Sequence, residues 1–143
     1  MPWEKGEAMR VLKAVWQTIV VVVSVVLVAG CSSSPTSPGV QPEITNVVDN
    51  FQYQVTKVRN YTNEKTYVWQ NTGTKANVNQ ATTVTGGIAT LVLLDANGVE
   101  VYSRSLTENG TFVSAAGVAG SWTIRVTYSA ASGTVNFRVQ KAI

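Results

Sequence analysis

Few side chains in this sequence have the type and spacing that catalysis requires. Histidine is absent from all 143 residues, which removes the commonest general base near neutral pH and the commonest metal ligand. A hydrolase needs a nucleophile beside a base, or a pair of carboxylates. The acidic residues that follow the N-terminal apolar run are instead scattered, at Glu43, Asp49, Glu64, Asp95, Glu100 and Glu108. We therefore predict no catalytic residues and a protein that is not an enzyme.

Asp95 has two interpretations. It begins the segment Asp95-Ala96-Asn97-Gly98, and the oxygens of Asp95 and Asn97 could both face a calcium ion. Calcium binds about six to eight oxygen ligands, which this segment does not supply. An aspartate that precedes Asn-Gly between two apolar runs is typical of a hairpin turn, where its side chain caps backbone N–H groups. We predict the turn cap, and no metal site.

Cys31 is the only cysteine, and its position is distinctive. Arg10 and Lys13 precede a long apolar run over residues 19–31, and Ser32 begins a polar segment. A basic start, an apolar middle and small residues before a cleavage site are typical of an export signal. A single cysteine also means that the exported domain contains no disulfide and no cysteine metal site.

The end of this run, Val28-Ala29-Gly30-Cys31, resembles the lipobox of bacterial lipoproteins. The resemblance implies cleavage between Gly30 and Cys31, a diacylglycerol linked to the Cys31 thiol, and attachment to a membrane of the cell envelope. Apart from this covalent lipid, no cofactor is expected. In Gram-negative lipoproteins an aspartate after the cysteine retains the protein in the inner membrane, so Ser32 favours the outer membrane if the host has one.

Two alternatives to the lipid anchor stay open. Residues 14–30 are predominantly apolar, and their length is close to the roughly 20 residues that cross a bilayer, so the segment could remain as an uncut anchor. The cysteine could also have no role in anchoring.

The chain divides into three parts. Residues 1–30 are predicted as an apolar signal helix, with translation starting at Met9 because the glutamates before it weaken a basic start. Residues 31–42 are a serine- and proline-rich tether that is expected to be disordered. Its residues 32–42, when only partly extended, reach about 30 Å, somewhat less than full extension at roughly 3.1 Å per residue would give. Residues 43–143 are predicted to fold as one domain.

The folded part has the periodicity of β-strands. Apolar residues alternate with polar ones around Phe51 and again around Ile124, and glycine- or asparagine-containing turns recur about every ten residues. We predict turns at residues 59–63 and 131–133. The fold class is all-β: a small antiparallel β-sandwich of seven to eight strands, of jelly-roll or immunoglobulin-like type.

Two segments of this part, residues 94–101 (LDANGVEV) and 120–126 (GSWTIRV), resemble C-terminal β-sandwich modules of secreted bacterial peptidases. The resemblance covers residues 87–139 and implies the sandwich fold. The chain lacks the aspartate clusters that bind calcium in some of those modules, so no site residue is transferred from them.

Tyr67 and Trp69 are the candidate ligand-binding residues, because they share one face of a predicted strand. If Val68 points into the core, the two rings form an exposed platform for stacking on sugars or peptides. If the rings point inward, they belong to the core. Arg125 and Arg138 are predicted on the polar faces of consecutive strands, in surface ion pairs that could include Glu100.

The net charge of +3 comes from basic residues that are spread singly, so nucleic acid is not an expected partner. The prediction is a lipid-anchored envelope protein whose non-catalytic sandwich binds or braces another envelope component, protein or glycan. The alternative is a carbohydrate-binding module displayed at the cell surface through Tyr67 and Trp69.

Overall fold

The computed structural model describes residues 40–143, so the predicted signal peptide, Cys31 and the tether up to residue 39 lie outside the described residues. Seven strands form one antiparallel sheet: β1 (Glu43–Val47), β2 (Asn50–Asn71), β3 (Ala76–Gln80), β4 (Thr83–Leu94), β5 (Glu100–Ser105), β6 (Gly110–Val113) and β7 (Gly120–Lys141). The prediction of an all-β, antiparallel sandwich is confirmed. Packing begins before β1, because Val40 is partly buried against the core.

Two strands of 22 residues, β2 and β7, hold the fold together. They pair from Asn50 opposite Gln140 to Asn71 opposite Gly120. Residues 50–55 of β2 and 135–141 of β7 lie with β1, β3 and β6, and we call this the first layer. Residues 63–71 of β2 and 120–128 of β7 lie with β4 and β5, which is the second layer. Both long strands therefore contribute to both layers.

The predicted turns at residues 59–63 and 131–133 are corners inside continuous strands. The β2–β7 register shifts repeatedly between Val55 and Asn63, which is the mark of β-bulges. A bulge bends a strand sharply without ending its pairing, so turn-forming residues can produce a corner where a chain reversal is expected. Non-glycine residues with positive φ at these corners are Lys57 at 58°, Asn60 at 43° and Ala130 at 48°.

Aromatic side chains fill the space between the layers. The rings of Tyr53 and Phe137 stack with centroids 5.0 Å apart, and Trp69 meets Trp122 edge to face at 5.9 Å. All four side chains are buried, and burial of a large apolar side chain contributes about 1.5–3 kcal/mol. The hydroxyls of Tyr53 in the first layer and Tyr128 in the second share a 2.7 Å hydrogen bond. This bond links the two layers through the core.

Stability should fall in alkaline solution because of these hydroxyls. Burial raises the pKa of Tyr128 to about 12, and burial with the Tyr128 hydrogen bond raises that of Tyr53 further. Tyrosine in an unfolded chain has a pKa of about 10, so the unfolded state loses protons first as pH rises. Both contributions are thus complete below about pH 10; that of Tyr128 is lost between about pH 10 and 12, and that of Tyr53 begins to fall in the same range and continues to fall at higher pH.

We expect the urea midpoint to be lower at pH 11 than at pH 8, and the fall to be smaller in the Tyr53→Phe/Tyr128→Phe double variant. Some fall should remain in that variant, because burial also raises the pKa of Tyr102 to about 12. Equal pH dependence in the wild type and the double variant would contradict the assignment.

Polar contacts close the open sides of the sandwich. The N–H of Ala115, just after β6, donates to the carbonyl of Val101 in β5 at 2.8 Å. On the other side, Asn46 Nδ2 donates to the carbonyl of Val68 at 2.9 Å. Unpaired backbone groups at a sheet edge invite pairing with other chains, and contacts of this kind reduce that exposure.

Candidate ligand-binding face

The stacking platform predicted from Tyr67 and Trp69 is not formed. Val68 is 60% exposed, whereas Trp69 is fully buried, so the odd-numbered side chains of this part of β2 point into the sandwich. Trp69 pairs across the sheet with Trp122, and Tyr67 pairs with Ile124, both of which are buried. Alternation along a strand defines two faces, and the buried cross-strand partners determine that these rings belong to the core.

Tyr67 is only partly buried, but its ring also faces inward. Its centroid lies 5.6 Å from that of Phe51 and 5.9 Å from that of Tyr53. Both neighbours belong to the first layer, so the Tyr67 ring contributes to packing between layers. Desolvation raises the pKa of its hydroxyl.

Asp95 caps a turn, as predicted. Its Oδ1 accepts the N–H groups of Asn97 and Val99 at 2.9 Å each, and its Oδ2 accepts that of Val118 at 2.9 Å. These three donors hold the pKa of Asp95 below its usual value, since they stabilise the charged form. The carboxylate thus joins the β4–β5 turn to the loop before β7. Within residues 40–143, no cluster of three or more His, Cys, Asp or Glu could hold a metal ion.

The two arginines of β7 have different surroundings. Arg125 lies in the second layer, where its Nε is 3.7 Å from a carboxylate oxygen of Glu64; the pairing suggested with Glu100 is wrong. Arg138 lies in the first layer, and its Nη2 donates to Gln52 Oε1 at 3.1 Å. No carboxylate in the described part of the chain lies within 4.0 Å of Arg138. The two residues share one strand but not one face, because β7 passes through both layers.

Carboxamide side chains surround Arg138 on the outer face of the first layer. Strand register places Gln52, Arg138 and Asn79 in one row, and Asn50, Gln140 and Asn77 in the next. Side chains directly opposite in an antiparallel sheet point to the same side. We call this surface the carboxamide face and define it by Asn50, Gln52, Gln54, Asn77, Asn79, Arg138, Asn136 and Gln140.

The buried residues of the same strands fix the direction of this face. Phe51 and Tyr53 in β2, Val78 in β3, and Phe137 and Val139 in β7 are all buried. Because successive side chains of a strand point to opposite sides, the residues between them point to solvent. Arg138, Asn79 and Gln140 are exposed, and the other members are half-buried.

The carboxamide face is not apparent from the sequence alone, although the sequence contains a signal for it. Amide residues recur two positions apart in separate segments, at Gln52 and Gln54 and at Asn77 and Asn79. Within one segment this spacing is typical of an ordinary solvated strand face. Only the register of β2, β7 and β3 brings the segments onto one surface.

The carboxamide face presents many hydrogen-bonding groups and little charge. A carboxamide offers two N–H donors and one carbonyl acceptor, so the surface can both donate and accept. Asn79 Nδ2 already donates to Thr111 Oγ1 at 2.9 Å. Arg138 supplies a positive charge at the centre, and Glu43 lies at the margin, opposite Gln54. Such a surface suits a flat ligand rich in hydroxyl groups, with a negative group where Arg138 lies.

The outer face of the second layer is different. Arg125 there is paired with Glu64, and the Glu64 carboxylate also accepts the hydroxyl of Thr127 at 3.3 Å. The cross-strand neighbours of Arg125 are Thr66 and Val92, so no carboxamides adjoin it on the paired strands. This face is a natural control for experiments on the carboxamide face.

A scan against protein-family models and a search of curated proteins found no match to this chain. Among residues 40–143 there is no helix with the length and apolar character needed to cross a membrane.

Proposed function

We propose that the protein is a lipoprotein of the cell envelope whose sandwich domain binds another envelope component without catalysing a reaction. The observation that carries the binding role is the carboxamide face. It combines hydrogen-bonding side chains from three paired strands with an exposed arginine that has no carboxylate partner among the described residues.

The anchor in this proposal is the lipid on Cys31. It is supported by the basic residues, apolar run and Val-Ala-Gly-Cys ending of residues 10–31. The tether that follows would hold the folded domain just clear of the lipid headgroups. Ser32 at the second position of the mature chain supports the outer membrane as the location in a Gram-negative host.

The chemistry of the carboxamide face supports recognition. Carboxamides do not titrate near neutral pH, so they cannot act as general acids or bases there. Their value on a protein surface lies in directional hydrogen bonds to a ligand. We do not propose a carbohydrate-binding module that uses Tyr67 and Trp69 as its stacking platform, because the Trp69 ring is buried.

Site-specific photocrosslinking in intact host cells tests the binding role. A photoreactive amino acid replaces Gln140, which is exposed on the carboxamide face, in the full-length protein. The matched control replaces Ser103, which is exposed on the outer side of the second layer. We expect a discrete adduct from position 140 that is absent from position 103 and is weakened by Arg138→Gln. No adduct at position 140, or equal adducts at both positions, would contradict the proposal.

A further inference from the structure

We propose that the component bound at the carboxamide face is a linear polysaccharide built from uronic acids, whose ring carboxylates meet Arg138. This inference rests on the proposed binding function and names the class of partner. The charge, the extent and the hydrogen-bonding groups of the carboxamide face support it.

The positive charge of Arg138 on the carboxamide face favours an acidic partner. Arg138 is exposed and central, and its guanidinium donates at 3.1 Å only to a neutral group, the Gln52 amide oxygen. By contrast, Arg104 lies 2.6 Å from a carboxylate oxygen of Glu108, and Arg125 lies 3.7 Å from Glu64. A guanidinium binds carboxylates through parallel N–H donors, so Arg138 retains donors for a carboxylate from a ligand.

The neighbours of Arg138 favour a ligand that has hydroxyl groups close to its carboxylate. Gln52 and Asn79 flank Arg138 on the adjoining strands, at an inter-strand spacing of about 4.8 Å. Asn136 and Gln140 flank it along β7, at about 7 Å. Hydroxyls both donate and accept, as carboxamides do. A uronic acid carries its carboxylate on the hydroxyl-bearing ring itself, and this matches one arginine set among carboxamides.

The extent of the face suits a chain of sugars. The first layer is five strands wide, from β1 through β2, β7 and β3 to β6. Four inter-strand spacings of about 4.8 Å give a width of about 19 Å, which accommodates several linked rings. The surface is the flat side of a sheet, so an extended ligand can lie across the strands.

Other classes of partner fit less well. Protein interfaces depend on aromatic and apolar anchors near their centre. Beside the carboxamide face the exposed apolar residues are Val47, opposite Asn50, and Val113, opposite Asn77, and both lie on the outermost strands of the first layer. Nucleic acids and anionic membranes bind clusters of basic residues, and Arg138 is the single cation of the carboxamide face. A glycan whose hydroxyl-bearing rings carry a carboxylate is the best match.

Isothermal titration of the full-length protein in detergent micelles tests this inference. The ligands are oligogalacturonate and its methyl ester, which share a backbone and differ in charge. We expect the acid to bind and the ester to bind about tenfold more weakly, because the charge-assisted bond to Arg138 is lost. Arg138→Gln should weaken binding of the acid about tenfold and make the two ligands equivalent, whereas Arg125→Gln should change it less than about twofold. The Asn79→Ala/Gln140→Ala double variant should weaken both ligands.

The outcomes separate this inference from the proposed function. Unchanged binding in Arg138→Gln, or equal effects of Arg138→Gln and Arg125→Gln, would overturn the inference. Failure of both ligands to bind, together with a position-140 adduct in cells, would overturn the uronic-acid assignment and leave the binding role standing. Sedimentation with purified peptidoglycan but no binding of oligogalacturonate would overturn the uronic-acid assignment and identify peptidoglycan as the glycan that the face binds.

Discussion

Replacing Cys31 with serine is expected to abolish incorporation of radiolabelled palmitate and to leave the chain as an uncleaved precursor. The hydroxyl of serine does not replace the thiol in the thioether bond to diacylglycerol. Each buried methylene of an acyl chain contributes about 0.8 kcal/mol, and one chain anchors only marginally, so a durable anchor needs the two or three chains that a lipoprotein carries. The variant is compared with the wild type by labelling in the host and by electrophoretic mobility.

Ser32→Ala is the matched control for that experiment, because it alters the next residue and leaves the thiol in place. We expect it to be labelled and cleaved like the wild type. Equal labelling of Cys31→Ser and wild type would contradict the anchor. Loss of labelling in Ser32→Ala as well would show that the test does not isolate Cys31.

Replacing Gly87 with alanine is expected to destabilise the domain by about 3 kcal/mol or more, and to prevent folding if the wild type has little stability to spare. A Cβ at this position would lie 2.1 Å from the carbonyl oxygen of Ala130 and 2.5 Å from that of Ser129. Gly87 also has a φ of 67°, which L-residues rarely adopt. The obstructing atoms are backbone atoms of β7, so relief of the clash requires the strands to separate at the corner.

Gly86→Ala is the control, since its added Cβ would meet no atom closer than the Cβ of Ser132 at 3.8 Å. We expect it to change the free energy of unfolding by less than about 1 kcal/mol. Urea unfolding followed by tryptophan fluorescence measures both variants. Similar midpoints for Gly86→Ala and Gly87→Ala would show that the corner tolerates a side chain, contrary to the close packing described above.

Local patterns in the sequence were sufficient for several of the strands and for one turn. Alternation around Phe51 and Ile124 predicts half-buried strands, and Asp95 before Asn97-Gly98 predicts the capped hairpin turn. These features depend on residues close together in the chain. The corners at residues 59–63 and 131–133 depend on distant residues as well, because the same turn-forming residues can either end a strand or bend it. Only pairing between β2 and β7 decides between these outcomes.

The candidate site depended even more on long-range register. Tyr67 and Trp69 share a face in any strand, but their inward direction follows from Trp122, which is 53 positions away from Trp69 in the numbered chain. The carboxamide face likewise joins β2, β3 and β7, and Arg138 becomes its centre only because Gln52 and Asn79 lie on either side. Apolar residues that alternate along a strand indicate which face is buried, but polar residues give no such pattern. Their grouping across separate strands therefore cannot be predicted from one sequence.

The central claim is that the mature protein begins at a lipid-modified Cys31, and mass spectrometry of the wild-type protein from host membranes tests it most directly. The first trypsin site after Cys31 is Lys57, so digestion should release residues 31–57 as the N-terminal peptide. We expect this peptide to start at Cys31 and to carry the added mass of a diacylglycerol. A peptide that continues upstream of Cys31, or one that starts there with an unmodified thiol, would contradict it.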